Sequence, residues 1–283
     1  MDAAGRVAST IGASSSPGEE ERPGAFLAHL PKPEALLFEP VVSTCDGSLF
    51  ALEAMEEAAD GSSSPFVLDE EGAPCTDARP LLLKLFASLR EFPGAPALIL
   101  GLSVQAFAED SETLTMIDLT AKNAALEPGR IVLEVAPALG VPHPSHDKIE
   151  DVRALGFRVS LADSGLSEGG LGLLLELKPD YIRLWGDVVR CSSSDFFRRA
   201  ILDSVSQLAW KFGALLIASG ADEVGDRATL LEAGVALMKG RLAGSAIRWD
   251  GLANASGGAL CSPLSTKMNI EQSFEDRSGR KYG

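Results

Sequence analysis

Several things are missing from this 283-residue chain, and each absence excludes something. Cysteine is scarce: Cys45, Cys75, Cys191 and Cys261 are scattered with no CxxC pair, so neither a zinc site nor a disulfide framework is signalled. His143 and His146 form an HxxH spacing, but they sit in the proline-rich stretch VPHPSHDK with no intervening Glu, which argues against a metal motif. No apolar run reaches the roughly 18 residues of a membrane span. The N-terminus has no basic segment followed by an apolar one, so no signal peptide is expected and a cytoplasmic protein is. Positive charge is in the minority: 25 Lys and Arg face 40 Asp and Glu, a formal net charge of −15. That excludes non-specific attachment to nucleic acid or to an anionic membrane surface, and it repels anionic ligands unless a local basic patch intervenes. No GxGxxG or P-loop follows any strand-like run, so a dinucleotide or nucleoside triphosphate site is not indicated.

What is present is an ordinary globular composition, 46% hydrophobic and 23% charged, enough for a sizeable core. Residues 1–30 and 251–283 are poor in sustained apolar periodicity and are expected to be disordered or flexible, which leaves residues 31–250 as the folded domain. Within it, apolar runs alternate with helical patterns. The strand-like runs are 36–42, 49–55, 97–104, 130–136, 157–163, 181–187, 214–220 and 235–240, rich in Val, Ile and Leu as strands buried on both faces are. Asp46-Gly47 between the first two predicts a hairpin and therefore an antiparallel opening pair. Helices are predicted over 79–91, capped by Asp77; from Ser111 to about 125; from Ser145, with Ile149, Val152 and Leu155 buried; from Asp195; and from Val224 to Ala233. In the helix after Asp195, Phe197, Ile201, Val205, Leu208 and Phe212 recur at helical spacing and are expected to pack in the core. About eight strands with interleaved helices favour a single (β/α)8-type TIM-like α/β barrel, with an open doubly wound sheet as the alternative.

In such a barrel, working residues project from the carboxyl ends of the strands. Those ends offer Glu53, Gln105, Glu134, Asp163, Arg183, Ser219 and Lys239. Carboxylates converging there would suit a hard cation such as Mg2+. The alternative for each is a structural partner, an Arg or a helix terminus.

The segments FEPVVSTCDGSLFALEAM (38–55), LSVQAF (102–107), VLEVAP (132–137), LGFRVSLADSG (155–165), LKPDYIRLWGDVV (177–189) and LLIASGADEVGDRATLLEAGVALMKGRLAG (215–244) follow one another as in a known family. Together they resemble the EAL domain of bacterial cyclic-di-GMP phosphodiesterases, with the signature reading Glu53-Ala54-Met55. The resemblance implies a barrel whose first strand pair is antiparallel, and hydrolysis of one phosphodiester by two Mg2+ or Mn2+ ions. It places metal ligands at Glu53, Glu134 and Asp163. It also shows losses. The bridging Asp aligns with Ala162, the ligand Asn with Gln105, the catalytic Lys with Arg183, and the Asp two positions on with Trp185. The Glu of Ala-Glu-Gly aligns with Ser219, the next Glu of that motif with Asp222, the Gln near the end with Lys239, and a substrate-binding Arg with Glu57.

A methyl group cannot ligate, and arginine is a permanently charged fork where water must be oriented. Losing one ligand or base costs roughly 10²–10⁴ in rate, and here several act as one unit. No intact catalytic set is therefore expected; Arg183, Ser219 and Asp222 are degenerate positions, and Glu53, Gln105 and Lys239 are the candidates for ligand contact. No cofactor is expected, with Mg2+ or Mn2+ the ion if the remnant site takes one. Ser219 lies in ASGAD, without the GxSxG elbow of a serine hydrolase. The Gly-rich 164–172 could cradle a phosphate at a helix N-terminus or be a plain flexible loop.

The expectation is a non-enzymatic regulator in cyclic-di-GMP-related signalling that binds an unidentified protein. The alternatives are a cyclic-di-GMP-binding effector or a weak metal-dependent phosphodiesterase. A homodimer is implied by the resemblance alone.

Overall fold

The computed structural model describes residues 36–254 except 59, 69–77, 93, 95, 104–110, 137–145, 163–169, 185 and 191. The chain opens with β1 (Leu36–Ser43) and β2 (Leu49–Glu57), paired antiparallel with Glu39 opposite Glu53 and a bulge between Val41 and Val42. The Asp-Gly turn between them works as predicted. Gly47 takes a left-handed φ of 73°, and the Asp46 carboxylate accepts from Ser48 N at 3.0 Å and Ser48 Oγ at 2.7 Å.

Six further strands complete a closed ring: β5 (Ala97–Leu102), β6 (Ile131–Val135), β7 (Arg158–Leu161), β8 (Tyr181–Leu184), β9 (Leu215–Ala218) and β10 (Leu237–Met238). From β2 through β5 to β10 each neighbour is parallel. β1 closes the ring antiparallel to both β2 and β10. Three short strands lie outside it: β3 (Ser63–Pro65) on β2, β4 (Val67–Leu68) on β5, and β11 (Ile247–Arg248) on β1. The closed barrel, rather than the open sheet, is what forms; closure leaves none of the eight ring strands unpaired along an edge. Several strands are shorter than their apolar runs. β9 ends at Ala218 and β10 at Met238, and Ser219 and Lys239 follow as the first residues of the rim loops.

Alternate residues of each strand face inward. Val41, Ala51, Ile99, Val132, Ile217 and Leu237 meet there as a dry layer, with Phe50, Tyr181 and Leu215 packed against it. The Phe50 and Tyr181 rings meet edge-on at 5.6 Å.

The helices are α1 (Arg79–Glu91), α2 (Ser111–Asn123), α3 (His146–Ala154), α4 (Gly170–Leu177), α5 (Gly186–Val189), α6 (Phe196–Phe212), α7 (Val224–Glu232) and α8 (Trp249–Asn254). α1 buries Leu82, Leu85, Phe86 and Leu89 as its spacing predicts; its N-cap is Ala78 with no side-chain cap, and Asp77 lies outside the described residues. In α3, Ile149 and Val152 are buried, while Leu155 falls beyond the helix in a turn and is only half-buried. Asp195 caps α6 as expected, accepting from Phe197 N at 2.9 Å and Arg198 N at 3.2 Å.

The face of α6 that packs overlaps the predicted one only in part: Val205 is buried as expected, and Leu208 and Phe212 are half-buried. Leu202, Val205, Ser206 and Ala209 are buried, whereas Phe197 is 77% exposed and Ile201 also faces solvent. Two apolar series run along this helix, and the one of smaller residues fits the close approach to the barrel.

Candidate functional site

The inward pleat of the barrel carries a charged layer immediately beyond its dry one. Glu53 stands two residues after Ala51, Glu134 two after Val132, Arg183 two after Tyr181 and Lys239 two after Leu237. On the reversed strand β1, Glu39 stands two before Val41. Period-two alternation therefore brings five charged side chains from five strands together at the carboxyl end of the barrel.

Arg183 bridges two carboxylates with separate nitrogens. Nη1 donates to Glu53 Oε1 at 2.7 Å, and Nη2 pairs with Glu134 Oε1 at 2.9 Å. Lys239 bridges two through its single Nζ, to Glu53 Oε2 and, at 2.8 Å, to Glu39 Oε2. Ser160, opposite Glu134 in the β6–β7 register, donates its Oγ to Glu134 Oε2 at 3.0 Å. Glu53 and Glu134 are almost wholly buried.

Lys239 is positioned by backbone. Its N donates to Ala218 O at 2.8 Å and its O accepts from Ala221 N at 3.0 Å. The next residue, Gly240, has φ 130°, and a Cβ there would lie 2.7 Å from Ala221 N, so only glycine lets the two loops approach this closely.

The charges set one another's protonation. Burial would favour a neutral Glu53, but the Arg183 and Lys239 charges outweigh it and hold the carboxyl below its ordinary value. Glu134 is pushed up to about 7, mainly by burial; Arg183 offsets part of this, and the Glu53 charge adds to it. Burial acts downward on Lys239, but Glu53 and Glu39 carry its pKa above the usual lysine value. With Glu134 protonated the cluster is neutral; with Glu134 ionised it carries one net negative charge.

The other candidates lie elsewhere. The Ser219 Oγ is buried with no hydrogen-bond partner. Asp222 sits in the loop after β9, where its Oδ1 accepts from Arg241 N at 3.0 Å and its own N donates to Asp226 Oδ2 at 3.0 Å; it anchors backbone and is outside the charged cluster. Ala162 is buried, its N donating to Val135 O at 2.9 Å. Glu57 pairs with Arg248 at 2.9 Å. Cys45 is free and exposed. Gln105, Asp163, Trp185, His143 and the glycine-rich residues 164–169 lie outside the described residues, as does the side chain of His146.

Sequence reasoning missed Glu39 and Ser160. Within its own strand each gave one signal, a polar residue at inward parity inside an apolar run.

A divalent ion is what the resemblance implies for this rim, and the described donors do not fit one. Among the described residues, the inward carboxylates Glu39, Glu53 and Glu134 are each already paired with a cationic side chain, and a guanidinium lies between Glu53 and Glu134. Among the described residues, no group of three or more His, Cys, Asp or Glu is disposed to hold an ion. Nor is any helix among them long and apolar enough to cross a membrane.

Eight strands closed by one antiparallel member, with charged residues gathered at the carboxyl rim, define a TIM-like barrel with a modified first turn. The EAL domain family model matches residues 34–246, and the chain belongs to that family. Solved structures agree in fold. The EAL enzyme Bd1971 with cAMP and cyclic-di-GMP bound superposes with a TM-score of 0.68 at 16% identity, over 83% of this chain and 66% of that one. The EAL domain of Mycobacterium smegmatis DcpA gives 0.65 at 20% identity, over 77% and 93%. A standalone EAL protein from Vibrio cholerae O395, in its c-di-GMP-bound form, gives 0.62 at 21%, over 73% and 89%. No curated protein matches the sequence.

Proposed function

We propose that this EAL-domain chain is a catalytically degenerate regulator in bacterial cyclic-di-GMP-related signalling that acts by binding another protein and does not hydrolyse the dinucleotide. The observation that carries the reading is the Arg183 guanidinium held between Glu53 and Glu134, where hydrolysis would need those carboxylates free for metal. The substitutions around it point the same way. Ala162 offers a methyl group where the family has a bridging carboxylate, and Ser219 offers a hydroxyl where it has a Glu.

Ligand recognition is weakened as well. A cyclic dinucleotide presents two phosphodiesters, yet Arg183 and Lys239 are each spent on two carboxylates, and Glu57 stands where the family has a substrate-binding Arg. A protein-binding role is supported by the amino end of α6. There Phe196 and Phe197 are 79% and 77% exposed, with their rings in edge contact at 5.7 Å.

Incubation with cyclic-di-GMP and Mg2+ or Mn2+, followed by chromatography, tests the reading. No linear dinucleotide above the rate without protein is expected. Appreciable turnover that disappears in Glu53→Gln would overturn it. Tight metal-independent binding in calorimetry would instead make the chain a cyclic-di-GMP effector.

A further inference from the structure

We infer that Arg183 and Lys239 stand in for divalent cations as fixed countercharges, so that this rim binds no metal ion and becomes a metal site only when one of the two is removed. The topology of the cluster carries the inference. Each cation bridges two carboxylates: Arg183 joins Glu53 to Glu134, and Lys239 joins Glu53 to Glu39. Glu53 gives one oxygen to each and is shared between them. Two cations linked through a common carboxylate, with a further carboxylate on either side, is an arrangement that two metal ions could also satisfy. Here it is satisfied by ion pairs with side chains tethered to the backbone, which cannot diffuse away.

Competition favours the side chains. Guanidinium remains charged at any accessible pH and offers donors in a fixed fork that fits carboxylate oxygens. An incoming divalent ion would have to approach two buried positive charges and displace one of them from partners it cannot leave without losing its own countercharge. Glu39 and Glu53 face each other across β1 and β2, so Lys239 also relieves a like-charge cross-strand pair. The same geometry underlies the functional reading above, but the two fail separately: this one is decided by ion occupancy and melting temperature, that one by turnover.

The test uses the full chain, its Arg183→Ala and Lys239→Ala variants, and Mn2+ alone as the probe. After dialysis the wild type is expected to show no bound Mn2+ by electron paramagnetic resonance, and a Tm equal in EDTA and millimolar Mn2+ to within about 1 °C. Arg183→Ala exposes the Glu53 and Glu134 oxygens to one another. It is expected to melt lower in EDTA and to regain about 5 °C in Mn2+. If a variant does not fold in EDTA, recovery of soluble folded chain on refolding with Mn2+ is the readout, and rescue is expected. Mn2+ retained by the wild type overturns the inference. So does the absence of any Mn2+ response in both variants, since the side chains would then not be holding an ion's place.

Discussion

At the residue scale, Glu53 is the centre of the charged layer. It accepts from both cations and is almost wholly buried, so replacing it leaves Arg183 and Lys239, themselves largely buried, each short of one partner. Glu53→Gln is expected to cost about 3 kcal/mol in urea unfolding, the range for breaking a buried pair from one side. Glu39→Gln should cost about 1 kcal/mol or less, because Glu39 is partly open to solvent and only Lys239 loses by it. Equal losses at the two positions would deny Glu53 its shared role. Four of the five charged members were legible in the sequence because they close apolar runs, where barrel logic looks for them. Glu39 was not, because β1 runs backwards and its rim lies at its amino end. Nothing in LLFEPVV taken alone reveals that reversal; the Asp46-Gly47 hairpin does, and it turns Glu39 into a rim residue.

At the element scale, α6 shows how a helical repeat can be real and still be misassigned. Phe197, Ile201, Val205, Leu208 and Phe212 do share a stripe, yet the helix is rotated so that Leu202, Val205 and Ala209 meet the barrel. The close approach to β9 decided the face, and it favours the series with the smaller side chains. Leu202→Ala is expected to cost about 3 kcal/mol and Ile201→Ala less than about 1 kcal/mol, measured by denaturant unfolding. The reverse order would restore the stripe read from spacing. The strands were easier to read because burial on both faces makes them continuous apolar runs. Their ends were overestimated where residues that follow the ladder, such as Gly220 and Gly240, belong to loops. Gly240 controls one such loop: with φ 130° and Ala221 backbone 2.7 Å from any Cβ, Gly240→Ala should cost about 2 kcal/mol or more and loosen the placement of Lys239. Hydrogen exchange at the Ala221 and Lys239 amides reads that loosening directly.

At the scale of the whole molecule, the rim couples the stability of the barrel to pH through Glu134. Its folded pKa of about 7 lies above the ordinary value of 4.5, so between these limits the folded chain holds a proton that the unfolded chain has released. Folding stability therefore falls as pH rises through that window and levels off above it, and the drop from this group alone is about 3 kcal/mol. Glu53 acts in the opposite sense at lower pH. Its folded value is depressed, so its contribution is present above 4.5 and is lost as acid titrates it. The two together place maximum stability near the bottom of the Glu134 window, and charge neutrality of the cluster at that point gives the physical reason. A chain of net charge −15 has many carboxylates, and a general repulsion among them would also weaken the fold as pH rises. Glu134→Gln separates the two causes. The amide keeps an oxygen for Arg183 and the shape of the protonated acid, so the variant should lose most of the fall between pH 5 and 8 in urea midpoints while keeping the acid limb. A variant whose profile still declines as steeply as the wild type would assign the decline to the surface charges and remove Glu134 from the account.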